Sequence, residues 1–280
     1  MPAQRLEASA IARVWGRHAL PASFAAAGDC DEPIGEIWFE GEADAELLVK
    51  YLFTSQRLSI QVHPDDAAAH ERGLPRGKAE AWFVLDAEPE AVIGLGLKAP
   101  VSSEILRAAA CDGRIEQMID WRPVQAGVFI YSPGGTIHAI GPGLSLIEIQ
   151  QNLDLTYRLY DYGRPRELHL DEAMAVAERS PFAARFDPYQ RGPGRQILIE
   201  STAFVVERWT FARPMTIRAP DDQVQLIPIQ TGGTVDGLLL QAGTVWRIRG
   251  GAVVEPAADF DLLAAYPGAE TRSDLLEPMD

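Results

Sequence analysis

Residues 127–141 read GVFIYSPGGTIHAIG. Val128 to Ser132 has the apolar, β-branched and aromatic texture of a strand. Pro133 and Gly135 then turn the chain, because proline presets φ and glycine accepts backbone angles that other residues avoid. The next short strand carries His138 back among apolar neighbours, so an imidazole occupies an inward-facing position.

Two stretches upstream repeat the pattern. In LSIQVHPDD (58–66), Leu58, Ile60 and Val62 are apolar at a spacing of two, so Gln61 and His63 share the opposite face. Pro64 ends the run. In GKAEAWFVL (77–85), Glu80 follows His63 by 17 residues and opens the next strand pattern, with Lys78 two residues before it on the same face.

The rest of the chain falls into three textures. Residues 34–66 and 80–98 run apolar in short bursts split by Gly, Pro and Asp, as strands do, and DDAAAHERG (65–73) reads as a turn or two of helix between them. Residues 101–121 change period and read as two short helices split at Asp112-Gly113, and Asp171–Ala177 reads as a third. Strand texture returns at 128–133, 144–152 and 156–162, and residues 195–280 are almost all strand. All five histidines (18, 63, 70, 138 and 169) precede that last region. The expectation is a mainly β chain: a metal-binding domain over 1–186 with a helical insert at about 101–121, and a ligand-free β domain over 187–280.

Composition narrows the function classes. With 280 residues, 47% of them hydrophobic and 8% aromatic, the chain can bury an ordinary core. A net charge of −15 argues against nucleic acid or an anionic membrane as partner, since both need basic stripes. An anionic substrate must therefore be met by a few local Lys or Arg. The two cysteines, Cys30 and Cys111, have no metal-type spacing and fit a reduced, cytoplasmic protein. The opening MPAQRLEASAIARVWG lacks the apolar run of a signal peptide, and no stretch reaches the roughly 20 apolar residues of a membrane span.

Glycine, five residues, proline, one residue, glycine, two residues, histidine (127–138) resembles the second signature of the cupin superfamily, small jelly-roll barrels with a metal in the mouth. The first cupin signature has His-x-His and then Glu. Here Gln61 stands for the first histidine, His63 keeps its place and Glu80 supplies the carboxylate. Gln61, His63, Glu80 and His138 together make a four-ligand site whose nitrogen and carboxylate donors suit zinc, with the neutral amide an uncommon fourth.

LSIQVHPDD, GKAEAWFVL, PGGTIHAIG and TYRLYDYGR (156–164) together resemble the type I mannose-6-phosphate isomerase family in its compact bacterial form, with weaker echoes at VWG (14–16) and IGEIWFEG (34–41). The resemblance implies two cupin-type jelly-roll barrels with a small helical elaboration, and one zinc ion held by Gln61, His63, Glu80 and His138. It implies interconversion of mannose 6-phosphate and fructose 6-phosphate through a cis-enediol, an intramolecular oxidoreduction. Such chemistry needs an acid–base group, a cation for the developing oxyanion and an anchor for the phosphate.

Arg158 matches the family's site arginine and can hold phosphate or enediolate oxygens in a bidentate fork. Lys78 can bind phosphate or assist proton transfer. Glu148 matches a family acidic residue and is the candidate acid–base group; its other reading is a carboxylate paired with Arg158 or Lys78. Ser59 can hydrogen-bond phosphate at the mouth, or be an ordinary strand serine. Asp65 and Asp66 read as caps of the turn after Pro64, and His70 and His169 receive no role. The expected partner is a small sugar phosphate, in a monomer or homodimer. Two other functions fit a cupin: a metal-dependent dioxygenase, which usually takes three imidazoles, and a sugar-phosphate-binding cupin that does not turn its ligand over.

Overall fold

The computed structural model describes residues 3–27, 31–42, 45–183, 186–258 and 260–279; Cys30 lies outside them. Strands dominate. In the first half they are β1 (Ala3–Arg5), β2 (Ala8–Arg17), β3 (Ile34–Phe39), β4 (Leu47–Phe53), β5 (Ile60–Val62), β6 (Glu80–Ala87), β7 (Val92–Leu97), β8 (Ile119–Pro123), β9 (Phe129–Ser132), β10 (His138–Ile140), β11 (Leu144–Gln151) and β12 (Tyr157–Tyr160). In the second they are β13 (Tyr189–Gln190), β14 (Arg195–Glu200), β15 (Phe204–Trp209), β16 (Met215–Pro228), β17 (Thr234–Val235), β18 (Leu238–Leu239), β19 (Trp246–Glu255), β20 (Leu262–Pro267) and β21 (Leu276–Pro278).

β2 to β12 form two antiparallel sheets that face each other, in the orders β2-β3-β4-β11-β6-β9 and β12-β5-β10-β7-β8. Side-chain alternation decides what each face meets. Leu52, Trp82, Val84 and Leu146 of the larger sheet point inward and meet Ile93, Leu95 and Ile140 of the smaller one. The opposite face of the larger sheet (Ile37, Phe39, Val49, Tyr51, Phe83, Ile147, Ile149) packs on Phe204, Val206, Ile227, Leu263 and Ala265 of the second half. Strands buried on both faces need near-continuous apolar sequence. LLVKYLF supplies it with a single lysine as exception, and LSLIEIQQ supplies it less strictly, with Ser145, Glu148, Gln150 and Gln151 among its apolar residues.

The outer face of the smaller sheet is roofed by helices α2 (Ser103–Asp112), α3 (Ile115–Met118) and α4 (Leu170–Val176); the short helix α1 (Asp66–His70) follows β5. Leu106, Ala110, Ile115, Ala173 and Met174 cover Ile60, Val62, Ile119, Ala139 and Leu159. The expected break is present: Ser102 caps α2 by accepting from the Ile105 N–H, and Gly113 ends it with φ 84°. Asp65 caps α1 by accepting from the Ala68 N–H at 2.8 Å. Asp66 instead spans the turn, accepting from the Gly77 N–H and from Gln151 Nε2.

The remaining strands curl into a ten-stranded sheet around Trp209, Trp246, Tyr266 and aliphatic neighbours. β1 joins this sheet, pairing with β19, so the start of the chain belongs physically to the second barrel. The acidic stretch around Glu277 is a strand: β21 pairs with Met215–Ile217, and Glu277 pairs with Arg218. Glu207 is buried there and fully bonded, accepting from Arg195 Nε (2.5 Å), Trp209 Nε1 (2.8 Å) and Tyr266 Oη (2.5 Å).

Candidate metal centre

The turn His63-Pro64-Asp65 brings the separate segments together. The Lys78 N–H donates to the Pro64 carbonyl at 2.9 Å, and the Gly135 N–H to the His63 carbonyl at 2.8 Å. Two glycines let the backbones close to this distance. A Cβ on Gly77 would lie 2.5 Å from the Asp65 carbonyl carbon, and one on Gly134 would lie 2.5 Å from Asp65 Cα. The GK and PGG runs are thus needed for approach as well as for turning.

On the smaller sheet Gln61 stands opposite His138 on one side and Arg158 on the other, so all three share the inner face. Ile60 and Val62 lie on the other face, under the helices. His63 sits one residue past β5, and Glu80 begins β6 on the facing sheet. His63, Glu80 and His138 are buried, and each offers a donor atom within 4.8 Å of the others. His63 Nε2 lies 3.3 Å from Glu80 Oε1, and His138 Nε2 lies 3.4 Å from Glu80 Oε2.

The donor chemistry fits a cation. His138 Nδ1–H donates to the Thr136 carbonyl at 3.0 Å, leaving a lone pair on Nε2. Glu80 Oε2 is buried with no hydrogen-bond donor among the described residues. Burial holds both imidazoles below the usual histidine range, His63 at about 3, so both are neutral donors at neutral pH. Burial opposes ionisation of Glu80, but the ammonium of Lys78 and the two histidines outweigh it and hold the carboxylate well below its usual range. Gln61 Nε2 lies 3.2 Å from His138 Nε2, while Ser59 Oγ donates to Gln61 Oε1 at 3.1 Å. Half a turn of the amide aims its oxygen at the histidines and lets Nε2 donate to Ser59.

Lys78 is inside the cluster, with Nζ 2.6 Å from Glu80 Oε1 and 3.3 Å from His63 Nε2. Burial lowers its pKa, and the neighbouring Glu80 carboxylate more than restores it, so it stays charged. Arg158 is half-buried; its NH1 donates to the Glu167 carbonyl, and its Nε is buried with no partner among the described residues. His169 is tied to it, Nδ1 accepting from the Arg158 N–H.

Glu148 has a different partner from those the sequence suggested. Lys50 Nζ is 3.5 Å from Oε1, and Trp82 Nε1 donates to Oε2 at 2.8 Å. Burial and the nearby Glu80 charge raise its pKa against the pull of Lys50 and Lys78. Lys50 was legible as the single charge in LLVKYLF, but its partner depended on which strand lies beside β4. A groove of about 540 Å³ beside β9 and the 182–188 linker, lined by Phe129, Tyr131, Phe182 and Ile199, contains none of these polar residues.

The fold and site define a two-barrel cupin with a metal-type donor cluster in the first barrel. Mannose-6-phosphate isomerase of Streptococcus mutans serotype c is 38% identical over 171 residues, 58% of this chain and 54% of that protein. The chain thus covers about half the length of the curated relatives it matches in sequence. In three dimensions, mannose 6-phosphate isomerase from Bacillus subtilis superposes with TM-score 0.83 at 24% identity, covering 95% of this chain and 99% of that one. A zinc-bound mannose 6-phosphate isomerase superposes with TM-score 0.70 at 16% identity, covering 96% and 100%. No protein-family model matches the chain.

Proposed function

We propose that this protein is a zinc-dependent mannose-6-phosphate isomerase, interconverting mannose 6-phosphate and fructose 6-phosphate through a cis-enediol. The observation that carries the reading is the convergence of His63, Glu80 and His138, with Lys78 at their side and a buried Glu148 of raised pKa on the facing sheet. Gln61, His63, Glu80 and His138 hold the metal, which supplies Lewis-acid stabilisation of oxygen charge. Glu148 moves the proton between the two adjacent carbons, since a raised carboxyl is suited to both accepting and returning it. Arg158 and Lys78 bind the anionic groups of substrate and enediolate, and Ser59 adds a hydroxyl at the phosphate. The zinc-bound relative in fold and the sequence match over 58% of the chain support the assignment. Two imidazoles meet here, whereas oxygen-activating cupins usually use three.

The division at residues 186 and 187 is part of the same reading, with β1 the exception that crosses to the second barrel. A cytoplasmic monomer or homodimer is proposed, with no nucleic-acid or membrane partner; among the described residues no helix is long and apolar enough to cross a membrane.

Purified protein given mannose 6-phosphate, with fructose 6-phosphate followed by a coupled reaction before and after chelation, tests the proposal. Turnover that chelation abolishes and zinc restores is the expected result. No turnover with metal bound sinks it.

A further inference from the structure

Four residues form a transverse row across the inner face of the larger sheet. Trp38 stands opposite Lys50, Lys50 opposite Glu148, and Glu148 opposite Trp82. Contacts run along the whole row. Lys50 Nζ lies 4.3 Å from the centroid of the Trp38 ring and 3.5 Å from Glu148 Oε1, and Trp82 Nε1 donates to Glu148 Oε2 at 2.8 Å. The row ends beside the donor cluster, where the Trp82 and His138 rings are 5.2 Å apart. At its other end the indole is fixed: Trp38 Nε1 donates to Glu36 Oε2 at 2.8 Å, and Arg13 pairs with the same oxygen at 2.8 Å.

This arrangement solves a specific problem. A buried lysine facing a buried glutamate would ordinarily close to a short ion pair and hold the carboxylate ionised. Here the separation stays at 3.5 Å, and the ammonium also lies against an aromatic face, which attracts it through the ring quadrupole. The ring is anchored by a charged neighbour and cannot follow the lysine.

We infer that Trp38 is a positioning residue, which holds Lys50 back from Glu148 and so keeps the Glu148 carboxyl free to exchange a proton with substrate. Trp38 acts through Lys50 and does not touch the reacting carbons. The inference deepens, and rests on, the isomerase reading for its kinetic arm; its spectroscopic arm stands without it.

The experiment compares Trp38→Leu, Trp38→Phe, Lys50→Met and the Trp38→Leu/Lys50→Met double variant, each checked for zinc content and melting temperature. With mannose 6-phosphate as substrate, Trp38→Leu is expected to lose about tenfold in kcat with KM little changed, and Trp38→Phe, which keeps a ring face, to retain most of it. Adding Trp38→Leu to Lys50→Met is expected to cost nothing further. Fully additive losses overturn the inference, as does a rise in KM at unchanged kcat, which would place the indole on the sugar. Should Trp38→Leu fold poorly, Glu36→Ala releases the indole N–H instead and is expected to show the same coupling to Lys50. If the wild type shows no turnover, the isomerase reading fails, and NMR decides the inference separately. The Lys50 side-chain protons should lose their ring-current shift in Trp38→Leu, and the Glu148 carboxyl carbon should move in Trp38→Leu but not in Trp38→Phe. A Glu148 signal indifferent to Trp38 overturns it.

Discussion

Gln61 and His138 stand opposite each other on neighbouring antiparallel strands, and their Nε2 atoms are 3.2 Å apart. The amide therefore lies within reach of any ion held by His138. Removing it takes away one oxygen donor and leaves both imidazoles and Glu80 in place. Gln61→Ala is expected to bind zinc about tenfold or more weakly, measured by competition with a chromogenic chelator, while the fold is retained. Full zinc occupancy under competition would remove Gln61 from the ligand set.

Arg158 flanks Gln61 on the other side and is only half-buried, with a buried Nε that has no partner among the described residues. Its guanidinium makes one hydrogen bond to a loop carbonyl. Arg158→Ala should therefore leave the metal and the fold intact. Turnover is expected to fall by about 10²–10³, as when one preorganised oxyanion donor is lost. Zinc analysis and circular dichroism beside the kinetics check this; loss of metal or fold would make the arginine structural.

Gly134 is pressed against the turn that carries His63, with the Asp65 backbone 2.5 Å from where a Cβ would stand. The atoms it would meet, Asp65 Cα and N and the Pro64 carbonyl oxygen, all belong to main chain, so none can rotate away. Gly134→Ala should cost about 1–3 kcal/mol in chemical denaturation and weaken zinc binding together with stability, since the same contact aligns His63 and His138. Gly251→Ala, where the nearest atom is 3.6 Å away, serves as the tolerated comparison.

The buried histidines make the metal-free protein acid-sensitive. His63 titrates near 6.5 when unfolded and at about 3 when folded without metal, because burial and the Lys78 charge oppose protonation. The unfolded chain then binds more protons, and stability falls as pH drops. The loss begins below about pH 6.5, approaches about 1.4 kcal/mol per pH unit for this group, and levels off below about 3. Denaturation of the chelated protein between pH 4 and 7.5 (roughly the span of that titration) checks it. A flat profile in that window contradicts it.

In the second barrel, Glu207 is fully buried and bonded to Arg195, Trp209 and Tyr266. Arg195→Met strips its countercharge and is expected to cost about 3–5 kcal/mol, because an unpaired carboxylate stays behind. Combining it with Glu207→Leu should recover much of the loss. Urea denaturation of the single and double variants makes the comparison.

Much of this was legible in the chain by itself. The period-two alternation in LSIQVH assigned Gln61 and His63 to one face and Ile60 and Val62 to the other, because strand geometry depends only on neighbours in sequence. The Asp112-Gly113 break, the β texture after residue 195 and the Pro/Gly frame before His138 are local in the same sense. The relationships that give the first barrel its chemistry are not local. Lys50 is paired with Glu148, and Trp38 with Lys50, only because β4 lies between β3 and β11. Strand order is set by how both faces of the sheet are buried, and the sequence between the strands does not state it. The tail Leu276–Pro278 is a strand only because β16 leaves an edge for it, and β1 crosses to the second barrel for the same reason. Sequence determined which residues could face inward; tertiary structure decided which of them meet, because register and strand order are properties of the packed core.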